Sequence, residues 1–189
     1  VRSADRIAVE AVSHLQELGF RSPIVEFSFD DVDLGPTGSD RVSLLFASDA
    51  GLTPGPVGRI ASGGELSRLV LALRLASGVG KAQVVAFDEI DAGIGGATAL
   101  AMGRKLAALA EGRQVLCVTH LPQVAAFADQ HYVVARSDAA ASVAAVVGSD
   151  RLEELSRMLA GMPDSERGQD HAAELLVTAG KADLLPDAG

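Results

Sequence analysis

Two short apolar runs, Val84-Val85-Ala86-Phe87 and Val115-Leu116-Cys117-Val118, break off in polar residues: Asp88-Glu89 after the first, Thr119-His120 after the second. Apolar runs this short, bounded by polar residues, are read as buried strands rather than helices. Residues 97–110 between them carry helical apolar spacing, so the two strands run parallel with a helix as the crossover. The alternation extends to both sides, with helix near 65–77, strand 83–88, helix 97–110, strand 114–119, helix 121–128 and strand 131–135. This pattern defines an α/β fold whose sheet is mostly parallel and flanked by helices. In such sheets ligands gather beyond the carboxyl ends of the strands, where both polar dipeptides stand.

The flanks are less regular. Ile7, Val9, Ala11, Val12, Leu15 and Leu18 have helical spacing that stops at Gly19, a natural C-terminal cap, and no start signal precedes them. Ile24–Phe29 and Arg41–Phe46 read as the strands of a hairpin joined by an acidic connection, Asp30 to Asp40. Residues 50–60 hold three glycines and two prolines and read as a loop. Toward the end, Ser137-Asp138 marks a turn, 143–147 a hairpin strand, and 151–160 and 165–179 two helices. A chain of 189 residues is expected to form a single domain, parsed as an initial helix (1–19), hairpin and loop (20–60), motif-bearing layer (61–136) and terminal hairpin strand and helices (137–189).

Three motifs carry chemistry. Ser62-Gly63-Gly64-Glu65 opens the helix at 65–77, and Ser62 with Glu65 three residues on fits a capping box. Capping does not explain two glycines, which weaken a helix unless something approaches its backbone closely. Bare N–H groups, a serine hydroxyl and the helix dipole together suit a phosphate, so cap and phosphate site both stay open for this loop. At the first strand's end, Asp88 is placed to hold Mg²⁺ and Glu89 to orient or deprotonate an attacking water in nucleoside triphosphate hydrolysis. The plain alternative is a solvated acidic turn. At the second strand's end, His120 is placed to hydrogen-bond both a terminal phosphate and the attacking water. His14, His131 and His171 have no such company and read as surface or packing residues.

Several functions are excluded or set aside. A net charge of −9 argues against a polyanion-binding surface on this chain. The single Cys117 precludes an internal disulfide and reads as a core thiol. With no secretory segment and no apolar stretch of membrane-spanning length, the expected location is cytoplasmic. Gly93-x-Gly95 with Thr98 resembles a dinucleotide fingerprint, but Thr119-His120 stands where an acid should follow, and the acids before it would face the pyrophosphate. Gly80-Lys81 resembles the end of a P-loop, but Leu75 and Ala82 occupy positions that require Gly and Ser/Thr, and the segment follows a helix instead of a strand. The chain therefore carries acid and water-activating groups without a phosphate-gripping lysine.

With these motifs in this order, the chain resembles the C-terminal lobe of ABC-type ATPase heads of the SMC-like group. The runs Ala61–Arg68, Phe87–Ile94, Val118–Ala125 and Met158–Gly161 narrow the resemblance to bacterial DNA-repair members of the group, over nearly the whole chain. The resemblance implies an N-terminal lobe carrying the P-loop, a long antiparallel coiled coil, and a C-terminal lobe such as this one, with 1–19 as the end of the returning arm. By position, Ser62, Gly63 and Gly64, with Glu65 completing the motif, become the signature loop that meets the γ-phosphate of ATP held by a partner head. Asp88 becomes the Walker B acid for Mg²⁺, Glu89 the catalytic acid, Asp91 the D-loop aspartate and His120 the switch histidine. Gly95 departs from the serine expected at its position. The implied activity is ATP hydrolysis by a homodimer of heads that sandwich ATP, serving DNA double-strand-break repair and recombination at the nucleoid. DNA would be contacted through the intact protein, no membrane is involved, and the segment alone is expected to be inactive. The alternatives are a non-catalytic dimerisation or docking module and, less favoured, a transporter ATPase subunit, which would carry both lobes contiguously and lack a helical arm here.

Overall fold

The computed structural model describes residues 2–36, 38–59, 62–78, 83–136, 140–162 and 165–185. Contacts gather the chain into two units, Val1–Ile94 with Leu109–Val118 and Gly95–Ala108 with Thr119–Gly189, where length alone suggested one.

In the first unit, helix α1 (Arg2–Glu17) buries Ala11 and Leu15. It stops as its glycine suggested: Gly19 has a φ of 94°, and the Phe20 N–H turns back to the Leu15 carbonyl at 3.1 Å. Strands β1 (Ile24–Gly35) and β2 (Gly38–Ala47) pair antiparallel, with Val25 opposite Phe46 and Asp30 opposite Arg41. The acidic stretch read as a connection is therefore mostly strand. Its side chains are largely exposed on both faces, so the carboxylates need no burial, and Asp30 stands opposite Arg41 in the ladder. Part of the 50–60 loop is regular too: β3 (Gly55–Pro56) pairs with the end of β2, and Val57–Arg59 form a 3₁₀ turn. Proline is tolerated there because β3 is an edge strand.

Helix α2 (Gly63–Ser77) packs along α1 and buries Leu69, Leu71, Ala72 and Ala76. Strands β4 (Val84–Phe87) and β5 (Gln114–Cys117) are parallel, in register from Val84–Gln114 to Phe87–Cys117, and Val118 N–H extends the ladder to the Phe87 carbonyl at 3.0 Å. Two expectations are corrected here. The strands are not buried on both sides: Val85 and Phe87 are covered, whereas Val84 (53% exposed), Leu116 (51%) and Val118 (66%) line an open face. Nor is the sheet mostly parallel, because β4–β5 is the one parallel pairing among the described residues. Parallel sheets are usually covered on both faces, whereas this pair has one face open.

The second unit contains most of α3 (Gly96–Ala110), a four-residue helix α4 (Pro122–Ala125) where 121–128 was expected, and a hairpin of β6 (His131–Arg136) with β7 (Ala141–Val146). The strand at 131–135 thus pairs antiparallel with its sequence neighbour instead of joining a parallel layer, since closing a short connection costs little chain entropy. The turn at Ser137-Asp138 and the Gly80-Lys81 segment lie outside the described residues. Helices α5 (Gly148–Ala160) and α6 (Glu166–Thr178) pack Leu155 against Ala172, Leu175 and Leu176, with Ala125 and Ala126 completing the core. Arg151, almost fully buried, donates to the carbonyls of Ala125, Ala126 and Ala128 and so caps the end of α4. Among the described residues, no helix is long and apolar enough to cross a membrane.

Candidate functional site

Ser62 is the N-cap of α2, extended at φ −113° and ψ 124°, and its hydroxyl accepts the Glu65 N–H at 3.4 Å. The two glycines after it have a structural use that the sequence left open. A Cβ on Gly64 would meet Ala92 Cβ at 3.0 Å, the Glu89 carbonyl at 3.2 Å and the Ala92 carbonyl at 3.3 Å. A Cβ on Gly63 would lie 3.0 Å from Glu89 Oε2. What approaches the start of α2 so closely is the chain's own acidic turn.

The same helix face continues the docking. Ser67 Oγ donates to the Asp88 carbonyl at 3.1 Å, and Arg68 Nη1 donates to the carbonyls of Ile90 at 3.2 Å and Ala92 at 2.9 Å. Gly64, Ser67 and Arg68 are spaced i, i+3 and i+4, which puts them on one side of the helix. Within the turn, the Glu89 N–H donates to Asp88 Oδ1 at 3.0 Å, Ala92 N–H to the Glu89 carbonyl at 3.1 Å, and Ile94 N–H to the Asp91 carbonyl at 3.3 Å. Glu89 sits at φ 54°, the left-handed region, which disfavours a residue with a Cβ by about 1–2 kcal/mol. Asp88 and Glu89 are exposed, while Asp91 is 3% exposed.

Electrostatics follow from this crowding of acids. Burial, reinforced by the charges of Asp91 and Asp88, pushes the Cys117 thiol up to about 12, so it is a neutral, half-buried side chain. Burial lowers the Arg68 guanidinium, opposed by the nearby Glu65 carboxylate. Among the described residues no group of three or more His, Cys, Asp or Glu is gathered for a metal. A single exposed carboxylate at a strand end suits Mg²⁺, which keeps waters and substrate phosphate oxygens as its other ligands.

Ser62, Gly63, Gly64, Glu65, Asp88, Glu89 and Asp91 therefore fall in one unit, with the loop and the acidic turn in direct contact. His120 belongs to the second unit, exposed between Thr119, whose Oγ1 accepts the Leu121 N–H at 3.0 Å, and the start of α4. His131, read as a packing residue, is half-buried, and its imidazole pKa is lowered by burial and by Arg151. Sequence reading passed over Ser67 and Arg68. The signal for Arg68 was its position four residues after Gly64, adjoining the apolar stripe of α2, where a surface charge has no reason to be.

Comparison with solved structures identifies the class. An Smc head domain with a coiled coil and joint from Pyrococcus yayanosii matches 82% of this chain and 29% of that chain, with a TM-score of 0.59 and 20% identity. A chain described under "Structural biochemistry of ATP-driven dimerization and DNA stimulated activation of SMC ATPases" matches 84% of this chain and 94% of that one, at a TM-score of 0.51 and 18% identity. The fold is that of an SMC-type ATPase head. No family model matches the chain. In sequence it is 47% identical over 160 residues to the DNA repair protein RecN of Streptomyces coelicolor, covering 82% of this chain and 28% of that protein. It is 41% identical over 180 residues to the DNA repair protein RecN of Deinococcus radiodurans, covering 93% and 32%. The chain belongs to the RecN proteins, and it spans under a third of the length of the curated relatives it matches.

Proposed function

We propose that this chain is the C-terminal lobe of an ATPase head and supplies half of a composite ATP site in a DNA double-strand-break repair and recombination protein. The observation that carries the reading is the docking of the Asp88–Ala92 turn on the N-terminal face of α2, which brings a helix start and two exposed carboxylates together. The open apolar face of β4–β5 supports the missing half: Val84, Leu116 and Val118 are the surface that an N-terminal lobe carrying the P-loop covers.

In this reading Ser62, Gly63 and Gly64 present donors to the γ-phosphate of ATP bound to a partner head, while Glu65, whose N–H is taken up by the Ser62 hydroxyl, completes the loop. Asp88 holds Mg²⁺, which when bound neutralises charge on the phosphate oxygens. Glu89 orients the attacking water and accepts its proton, Asp91 fixes the turn that crosses toward the partner head, and His120 steadies the terminal phosphate from the following strand end. ATP closes a homodimer of heads because each nucleotide contacts both, and hydrolysis reopens it. DNA is engaged by the intact protein, in the cytoplasm at the nucleoid. Alone, the chain lacks a lysine for the phosphates and does not hydrolyse ATP.

Reconstitution tests this reading. Mixing the chain with its P-loop lobe is expected to restore ATP hydrolysis, and Glu89→Gln to abolish it while leaving ATP-dependent association, measured by light scattering, intact. Hydrolysis that survives Glu89→Gln would falsify the assignment, and association indifferent to ATP would leave a docking module instead.

A further inference from the structure

Arg68 is 8% exposed, and no step described above uses it. Burying a guanidinium is expensive, and an apolar side chain of the same length would fill the space without that penalty. What an apolar side chain lacks is donors and a planar cation. Nη1 reaches the carbonyls of Ile90 and Ala92, which flank Asp91 on either side. On its other side, Cζ stands 5.3 Å from the centroid of the Phe20 ring, within cation–π range. Phe20 in turn meets Phe46 edge-on at 5.8 Å and 86°, and its N–H is bonded to the Leu15 carbonyl in the last part of α1. A continuous series of contacts therefore runs from the end of α1, through Phe20 and Arg68, to the two peptide groups that bracket Asp91.

We propose that Arg68 is a positioning residue that ties the Glu89–Ala92 turn to the end of α1, so that the placement of α1 sets the geometry in which Glu89 and Asp91 work. The inference rests on the reading of those two acids as members of an ATP site. Mechanically, Arg68 is suited to the task because Glu89 is held in a conformation its backbone disfavours, and such a conformation persists only where neighbours over-determine it. Gly64 and Ser67 brace the turn from the start of α2, whereas Arg68 is the group that links it to α1. Phe20 acts through Arg68, since the ring lies beneath the guanidinium.

The test uses the full-length protein that contains this segment. Arg68→Met keeps side-chain length but removes both hydrogen bonds. It is expected to lower kcat per folded molecule by about tenfold, the size of a lost charged hydrogen bond, with KM for ATP unchanged. Arg68→Lys, which keeps donors without the planar stack, is expected to recover part of that loss. Phe20→Leu is expected to lower kcat less and to add nothing in the Arg68→Met background, because its effect passes through the arginine. A merely structural arginine would lower the melting temperature and leave kcat of the folded protein as in the wild type well below melting. That result, or additive effects of Phe20→Leu and Arg68→Met, overturns the proposal. Glu89→Gln run alongside separates the two readings. If it retains hydrolysis, the site assignment falls and this inference with it. If it abolishes hydrolysis while Arg68→Met keeps the wild-type kcat, only the inference falls.

Discussion

Gly64→Ala sets two effects against each other. By helix propensity alone, alanine in α2 should stabilise by up to about 1 kcal/mol. The added methyl, however, would enter contacts of 3.0, 3.2 and 3.3 Å with Ala92 Cβ and with the carbonyls of Glu89 and Ala92. Two of the three are backbone atoms of a turn already fastened by Ser67 and Arg68, so the turn cannot withdraw without losing those bonds. Overpacking of this kind costs about 1–3 kcal/mol, which exceeds the propensity gain. The net expectation is a loss of about 1 kcal/mol and a fall in melting temperature of about 3 °C. Gly63→Ala is the internal control. Its methyl meets only Glu89 Oε2 at 3.0 Å, the far end of a flexible side chain, so stability should hold or rise slightly while the carboxylate is displaced and hydrolysis by the intact protein drops. Urea unfolding followed by circular dichroism measures the first quantity, and ATPase rate the second. If Gly64→Ala proves as stable as the wild type or more so, the close docking of the turn on α2 is wrong.

Three further expectations follow from the same geometry. Glu89→Gly should stabilise the protein by about 0.5–1 kcal/mol, because glycine accepts the left-handed backbone at φ 54°, while abolishing hydrolysis; a destabilised variant in a melt would show that this strain is absent. Cys117, with its pKa at about 12, should react with a thiol reagent at pH 8 on the order of a thousandfold more slowly in the folded chain than in urea, and equal rates would contradict its burial beside two acids. His131 has a folded-state pKa below its unfolded value of about 6.5, so the unfolded chain binds the extra proton first. Its contribution to stability is therefore complete above that value and is lost as pH falls from there through the folded pKa. His131→Gln should flatten this part of a stability-against-pH curve, and an unchanged slope would remove His131 as its source.

Much of the fold was legible because apolar period and length distinguish helices from short strands. The 65–77 and 97–110 segments, and both strands that end in polar dipeptides, could be read in this way. As the N-cap, Ser62 starts α2 at Gly63, two residues before the 65 that the apolar spacing suggests. The open face of β4–β5 was not legible, because Val84 and Leu116 look the same in sequence whether their cover comes from the same chain or from another. The β1–β2 extension was hidden for the opposite reason: Asp30, Asp31 and Asp33 suggest a turn, yet an exposed ladder can carry them. In the candidate site, the acids and the serine stood out by residue type and position, and what the structure adds is the contact between the loop and the acidic turn. The purpose of Gly63 and Gly64 depended on a turn some 25 residues away coming back against them, and Arg68, spaced by fours with the buried Gly64, Ala72 and Ala76, could be read as inward-facing although its carbonyl partners could not.

The uncovered face of β4–β5 also bears on how the chain behaves in solution. Val84, Leu116 and Val118 form an exposed apolar strip, and two such strips on separate copies can bury each other. A net charge of −9 opposes that encounter through mutual repulsion. Salt shortens the reach of the repulsion to about 10 Å at 0.1 M and about 3 Å at 1 M, while leaving the attraction between apolar surfaces in place. The isolated chain should thus become less monodisperse as ionic strength rises, the reverse of an assembly held by ion pairs, and a polar substitution at Leu116 should remove that dependence.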